Sequence, residues 1–162
     1  MEDYRLTVPP VPRETLVKQE SALTADAYEK QLYSNYGLTL PREQVLPFVE
    51  IRERMKGSAE FPRWVEAFVS NYYAIWGQPV AHELRLIALP TLFIVGTRDR
   101  TAPGRPFARP EDQAGMGHIA ELAAARAASM PHADVITLDT GHLVHLEDTA
   151  GLNRAVTAFL TQ

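Results

Sequence analysis

No cysteine occurs anywhere in the chain, which removes disulfides, thiolate nucleophiles and cysteine-based metal sites together. The absence says little about compartment, because exported proteins can also lack cysteine. Neither sign of charge dominates: 16 Lys and Arg stand against 20 Asp and Glu, a net charge of −4. The basic residues are scattered among acids from Arg5 to Arg105, so no stripe follows a phosphate backbone and nucleic acid is not expected as a partner. Long hydrophobic runs are missing too. The longest, Leu92 to Val95 with its neighbours, falls far short of the roughly 20 residues a membrane span needs, so no membrane partner is expected. The N-terminal "MEDYRLTVPPVPRETL" has no apolar stretch of the signal-peptide kind. The chain reads as soluble, with its compartment left open.

What is present is an ordinary globular composition: 162 residues, 46% hydrophobic, enough to bury a core. Two textures meet near residues 86–90. The first half opens on the proline-rich "TVPPVP", which can be neither helix nor central strand. Four helical segments follow. "PRETLVKQESAL" has Pro12 or Arg13 near its first turn, and "TADAYEKQLYSNYG" has Thr24 as N-cap and Gly37 as stop. In "LPFVEIRERMKG", Pro47 suits a first turn, Gly57 ends the segment, and Phe48, Ile51 and Met55 make an apolar face. "FPRWVEAFVSNYYAIWG" is dense in aromatics, and core packing accounts for most of them.

From Leu89 the pattern changes. "LPTLFIVGTRD" reads as a strand buried on both faces, "HIAELAAARAASM" as a helix, and "ADVITLDTG" as a second strand. "LEDTAGLNRAVTAFLTQ" closes the chain as a helix with Leu152, Val156, Phe159 and Leu160 on one face. Strand, helix, strand in that order predicts a βαβ unit with parallel strands. The fold class is therefore α/β: helices over 1–86, then a βαβα unit over 87–162.

Parallel strands deliver the loops that follow them to one edge of the sheet, where open α/β sheets bind ligands. Asp99 in "VGTRD" and His142 in "DTGH" both sit on such loops. An acid that accepts the Nδ1 proton of a histidine fixes its tautomer and stabilises the imidazolium formed when Nε2 takes a proton from a hydroxyl or water. A lone turn histidine is more often bonded to backbone, yet the strand-end placement and the nearby acid favour chemistry for His142. The competing role for Asp99 is an ion pair with Arg98 or Arg100. Asp139 and Asp148 are alternative partners for His142. His145 is expected to pack or cap, and Glu147 to sit at a helix start where the dipole favours an acid. His82, His118 and His132 are expected to be structural. Zinc between His142 and His145 lacks a third ligand of familiar spacing, so neither metal nor cofactor is called for. A nucleophile is absent: no Gly-x-Ser-x-Gly turn occurs, and Ser21, Ser34, Ser58, Ser70 and Ser129 all lack that context.

With "IVGTRDRTAP" and "LDTGHLVHLED" on view, Leu89 to Gln162 resembles the C-terminal part of the α/β-hydrolase fold family. Gly96, Asp99 and Pro103 match the acid motif, and Gly141, His142 and Glu147 the histidine motif. Residues 3–84 resemble, more loosely, the helical cap that many of these enzymes carry. The resemblance implies Asp99 and His142 as triad acid and histidine of a hydrolase acting on a small molecule. With serine or aspartate as nucleophile such halves serve ester, epoxide, carbon-halogen or carbon-carbon hydrolysis, and esterase-like is the expectation by frequency alone. It also implies that the strands bearing the nucleophile and oxyanion loop lie elsewhere, on a complementary N-terminal half. The chain alone is then expected to be nearly inactive. An alternative function is a non-enzymatic binding or assembly module, whose exposed sheet edge pairs with another chain or a second copy.

Overall fold

The computed structural model describes residues 2–161. Apart from one 3-10 turn at Tyr4–Leu6, the described residues up to Pro12 form no helix, as the proline-rich lead-in dictates. Four helices follow: α1 (Arg13–Ala22), α2 (Ala25–Ser34), α3 (Arg42–Lys56) and α4 (Phe61–Gly77). Local signals set most of their ends. Pro12 precedes α1, the Thr24 hydroxyl accepts a hydrogen bond from the Ala27 amide at the start of α2, Gly57 closes α3, and Pro62 lies in the first turn of α4.

Helix α3 departs from the sequence expectation. It begins at Arg42, so Pro47 lies inside it rather than in its first turn. The proline forfeits one internal hydrogen bond, but the earlier start carries Val45 into the core at 0% exposure. Burial of a valine is worth roughly 1.5–3 kcal/mol, which offsets much of the roughly 3 kcal/mol that an interior proline costs. The buried line is Val45, Val49 and Arg52, whereas Ile51 is 57% exposed. The face has therefore rotated away from the Phe48, Ile51, Met55 line.

Two apolar clusters hold the molecule together, and each crosses the compositional boundary. One joins Val8, Val11 and Leu16 to Phe61, Val65 and Val69 of α4, and reaches Ala108 and Met116. The other gathers Leu32, Leu38, Val45 and Val49, with Leu143 packed against it. Because apolar area leaves water on both sides of each contact, the helical half and the strand-bearing half are fastened to one another.

The second half contains β1 (Thr91–Gly96), α5 (Pro110–Gln113), α6 (Ile119–Ala127), β2 (Ala133–Leu138), α7 (Val144–Glu147) and α8 (Thr149–Leu160). β1 and β2 pair in parallel, with Phe93 opposite Val135 and Gly96 opposite Leu138. Helix α6 packs on both strands and buries Ala123 and Ala127. The expectation of a strand buried on both faces is corrected: only Val95 and Gly96 of β1 are buried, and Thr91 to Ile94 are half-buried. A sheet of two strands has too little area to cover both faces. The same shortage explains α8, which buries Gly151 and Ala155 while Val156 and Leu160 stay exposed. Among the described residues, no helix is long and apolar enough to cross a membrane.

Candidate active site

The shared direction of β1 and β2 brings the segments after Gly96 and Leu138 to one edge of the sheet. Beyond β1 the chain turns sharply, the Asp99 amide donating to the Gly96 carbonyl at 3.3 Å. Beyond β2 it runs through Thr140 and Gly141, both buried, to His142. There the Nδ1 of His142 lies 2.8 Å from Oδ2 of Asp99. An ionised carboxylate can only accept, so the contact assigns the imidazole proton to Nδ1. The other carboxylate oxygen, Oδ1, accepts from the Thr101 amide at 2.8 Å. The Asp99 side chain is 6% exposed and that of His142 42%. Among the described residues, nothing hydrogen-bonds to His142 Nε2. A rigid buried acid thus backs a ring whose second nitrogen is left free to exchange a proton.

Glycines permit this approach. A Cβ on Gly96 would run into the carbonyl oxygens of Thr140 and Gly141, and one on Gly141 into the carbonyl of Tyr36. Gly37 has φ of 64°, and a side chain there would meet the Arg98 carbonyl. Three backbone segments therefore lie in contact at the site.

The third segment, the loop between α2 and α3, comes from the helical half. Its carbonyls receive bonds from both strand-end loops: the Arg100 amide donates to Asn35 at 3.2 Å, and the His142 amide to Tyr36 at 2.7 Å. The Tyr36 ring packs against the imidazole, centroids 4.9 Å apart. Tyr36 also lines a cleft of about 270 Å³ between α2, α3 and α4, whose walls include Tyr28, Trp64 and Phe68. A larger cleft of about 540 Å³ adjoins it and shares Phe68, but is lined by Leu16, Val69 and Tyr72 and not by Tyr36. Part of the aromatic face of α4 thus lines open space instead of core, Phe68 being 47% exposed.

Glu147 corrects another expectation. It closes the single turn α7, and its carboxylate is 4% exposed. Oε1 accepts from the Thr39 amide and hydroxyl, each at 2.9 Å, and from Arg98 Nη2 at 3.1 Å; Oε2 accepts from the Gly141 amide at 2.5 Å. A helix dipole plays a small part beside four direct donors. Nothing near Glu147 in sequence reveals this role, because Thr39 is 108 residues away.

These contacts tune ionisation. The hydrogen bond that the ring donates to Asp99 lifts the His142 imidazole above its ordinary 6.5, against burial, which pulls the other way, and the negative charge of Asp99 adds to the rise. Burial pushes the Asp99 carboxyl up, but the bonds from His142 and Thr101 outweigh it and leave the group below its ordinary 3.8. Burial likewise raises Glu147, and the donors from Thr39, Gly141 and Arg98 bring it below its ordinary 4.5.

The other candidates are used elsewhere. Arg98 pairs with Asp139 and Glu147, and Arg100 bonds the carbonyls of Thr97 and Asp99, so neither takes the Asp99 carboxylate. Asp139, with a side chain 91% exposed, is held by Arg98. Asp148 caps α8 by accepting from the Gly151 amide at 2.7 Å. His145 is exposed rather than packed, and no group of three potential metal ligands occurs among the described residues. His82 bonds Asp3, and His118 the Ala114 carbonyl.

No protein-family model matches the chain, and no curated protein matches it either. Among solved structures, one described as a probable hydrolytic enzyme from Pseudomonas aeruginosa superposes with a TM-score of 0.88 over 98% of this chain. The two share a fold. They are 24% identical, and the chain spans about half of that protein, 52% of its length. Likeness at that level of identity speaks for architecture alone.

Proposed function

We propose that this chain is the C-terminal part of an α/β-hydrolase-type enzyme, esterase-like, with residues 1–86 as its helical cap and 87–162 as the last part of its core. Asp99 and His142 are its acid and its general base. The observation that carries this is the 2.8 Å contact between Asp99 Oδ2 and His142 Nδ1, with no bond to Nε2 among the described residues, at the edge shared by two parallel strands. His142 Nε2 takes the proton of the attacking hydroxyl, Asp99 stabilises the imidazolium, and the proton then passes to the leaving group. The cleft walled by Tyr36, Trp64 and Phe68 is the place for a small ester, Tyr36 being the side chain that lines it and also packs on the imidazole.

The nucleophile comes from a complementary half. Ser58, Ser70 and Ser129 donate to carbonyls of their own helices or turns, and Ser34 to Asn35. None bonds to His142. The chain spans 52% of the Pseudomonas neighbour's length, which leaves room in such an architecture for a complementary half of similar size. Alone, the chain hydrolyses esters only at a residual rate, since both nucleophile and oxyanion donors are supplied by that half.

The test is hydrolysis of p-nitrophenyl acetate by the chain alone and after co-expression with a nucleophile-bearing N-terminal half of this architecture. Activity regained in the complex and lost in His142→Ala supports the proposal. Undiminished hydrolysis by a folded His142→Ala complex refutes it.

A second reading, an assembly module, is favoured by one observation. Among the described residues β1 pairs with β2 alone, and Leu86 and Leu89 beside it are 68% and 74% exposed. An open edge and adjacent apolar surface invite strand addition by another chain. Light scattering on the isolated chain decides this: a stable monomer at high concentration removes it.

A further inference from the structure

Four residues of the loop between α2 and α3 are each tied to a strand-end loop. The carbonyls of Asn35, Tyr36 and Gly37 accept from the Arg100 amide, the His142 amide and the Arg98 side chain, and Thr39 donates twice to Glu147. Glu147 and Arg98 both touch all three segments, Arg98 by bonding Gly37, Thr39, Asp139 and the Thr140 carbonyl, but Glu147 is the one that bonds the amide next to His142. It takes the Thr39 amide and hydroxyl from the helical half, Arg98 from the loop after β1, and Gly141 from the loop after β2.

All four groups that reach Glu147 are donors. A carboxylate, which only accepts, satisfies them together, and a carboxamide cannot: its NH2 would have to face one of the donors. The contact to Gly141 is adjacent in sequence to His142, whose own amide is anchored on Tyr36. We propose that Glu147 is a positioning residue, whose carboxylate clamps the His142 loop to the helical half and so holds the imidazole in register with Asp99. This inference rests on the reading of Asp99 and His142 as an acid–imidazole pair. It adds that the helical half fixes the geometry of that pair as well as covering it.

The experiment is ¹⁵N NMR of the His142 ring nitrogens across a pH titration of the full chain, with thermal melting of each variant. In the wild type, the neutral ring is expected as the Nδ1–H form and to titrate above its ordinary value, because Asp99 accepts from Nδ1. In Glu147→Gln, a cooperatively melting protein is expected to show a mixture of tautomers and to lose most of the elevation in the titration. The tautomer is set by the hydrogen bond at Nδ1, so a mixed tautomer reports a displaced imidazole and not merely a missing charge at position 147. A folded Glu147→Gln chain with wild-type tautomer and titration overturns the proposal. Should Glu147→Gln not fold, Thr39→Ala decides, since it removes the hydroxyl that donates to Glu147 and accepts from Arg98 and leaves the carboxylate and the Thr39 amide in place. A partial move toward the mixed tautomer supports the clamp, and no move overturns it. Asp99→Asn separates the two levels of inference. If it leaves the wild-type His142 spectrum unchanged, the acid–imidazole pair itself is wrong; if it alone shifts the spectrum while Glu147→Gln and Thr39→Ala do not, the pair stands and the clamp falls.

Discussion

Asp99→Asn keeps the shape of the side chain, removes its charge and turns one of its two acceptors into a donor, so it is the comparison of two pH values that isolates the ionic share of the contact with His142. The imidazole is raised in the folded chain, by its hydrogen bond with Asp99 first of all. It therefore contributes stability that is fully present below its unfolded value, about 6.5, and lost as pH rises through the folded value. The Asp99 carboxyl is lowered on balance, the bonds from His142 and Thr101 overcoming burial. Its contribution is present above its unfolded value, about 3.9, and lost as pH falls through the folded one. The two conditions hold together between about pH 4 and pH 6.5, where an anion faces a cation. A hydrogen bond to a charged group nets about 1.5–3 kcal/mol. The ring is 42% exposed, and solvent screening reduces the pH-dependent part to about 1 kcal/mol. Urea unfolding of wild type and variant at about pH 5.5 and pH 9 is the assay. The variant should be destabilised by about 1 kcal/mol more at the lower pH. Equal destabilisation at the two pH values would refute the ion-pair reasoning.

Gly96→Ala places a Cβ against the carbonyl oxygens of Thr140 and Gly141, which are backbone and cannot swing aside. It should cost roughly 1–3 kcal/mol in urea unfolding and separate the two strand-end loops, seen as loss of the His142 elevation. Asp148→Ala removes the N-cap of α8, a cost of about 1 kcal/mol, or a melting temperature lower by about 2–4 °C. Asp139→Asn is the counterpart control. With its side chain exposed and turned to Arg98, Asp139 should leave the His142 titration and tautomer as in the wild type, and a change there would name Asp139 as a partner of the ring.

Elements were legible where a local rule governs them. Thr24 and Gly57 mark helix ends because caps are short-range chemistry, and the parallel pairing of β1 with β2 follows from a helix between two apolar runs. Misreadings arose where distant packing outweighed local rules. Pro47 suggested a helix start, but the burial of Val45 drew α3 back to Arg42. Ile51 and Val156 looked like core and lie exposed, because periodicity marks an apolar face without saying whether anything covers it. At the site, Asp99 and His142 were both visible as strand-end residues, while the contacts of Glu147 with Thr39 and Arg98 were not.

By itself the sequence determined the residue types at the end of each strand, the parallel direction that sends both loops to one edge, and the absence of a recognisable nucleophile turn. Those depend on neighbours within a few positions or on the handedness of the chain. Only the tertiary structure decided which acid meets the ring. Asp99, Asp139 and Asp148 are chemically alike, and the choice among them is made by three glycine-permitted backbone contacts and by a carboxylate at position 147 that gathers donors from segments far apart in the chain. A hydrogen bond is satisfied within about 3 Å, so its partner is selected by the folded path of the backbone and not by spacing along it.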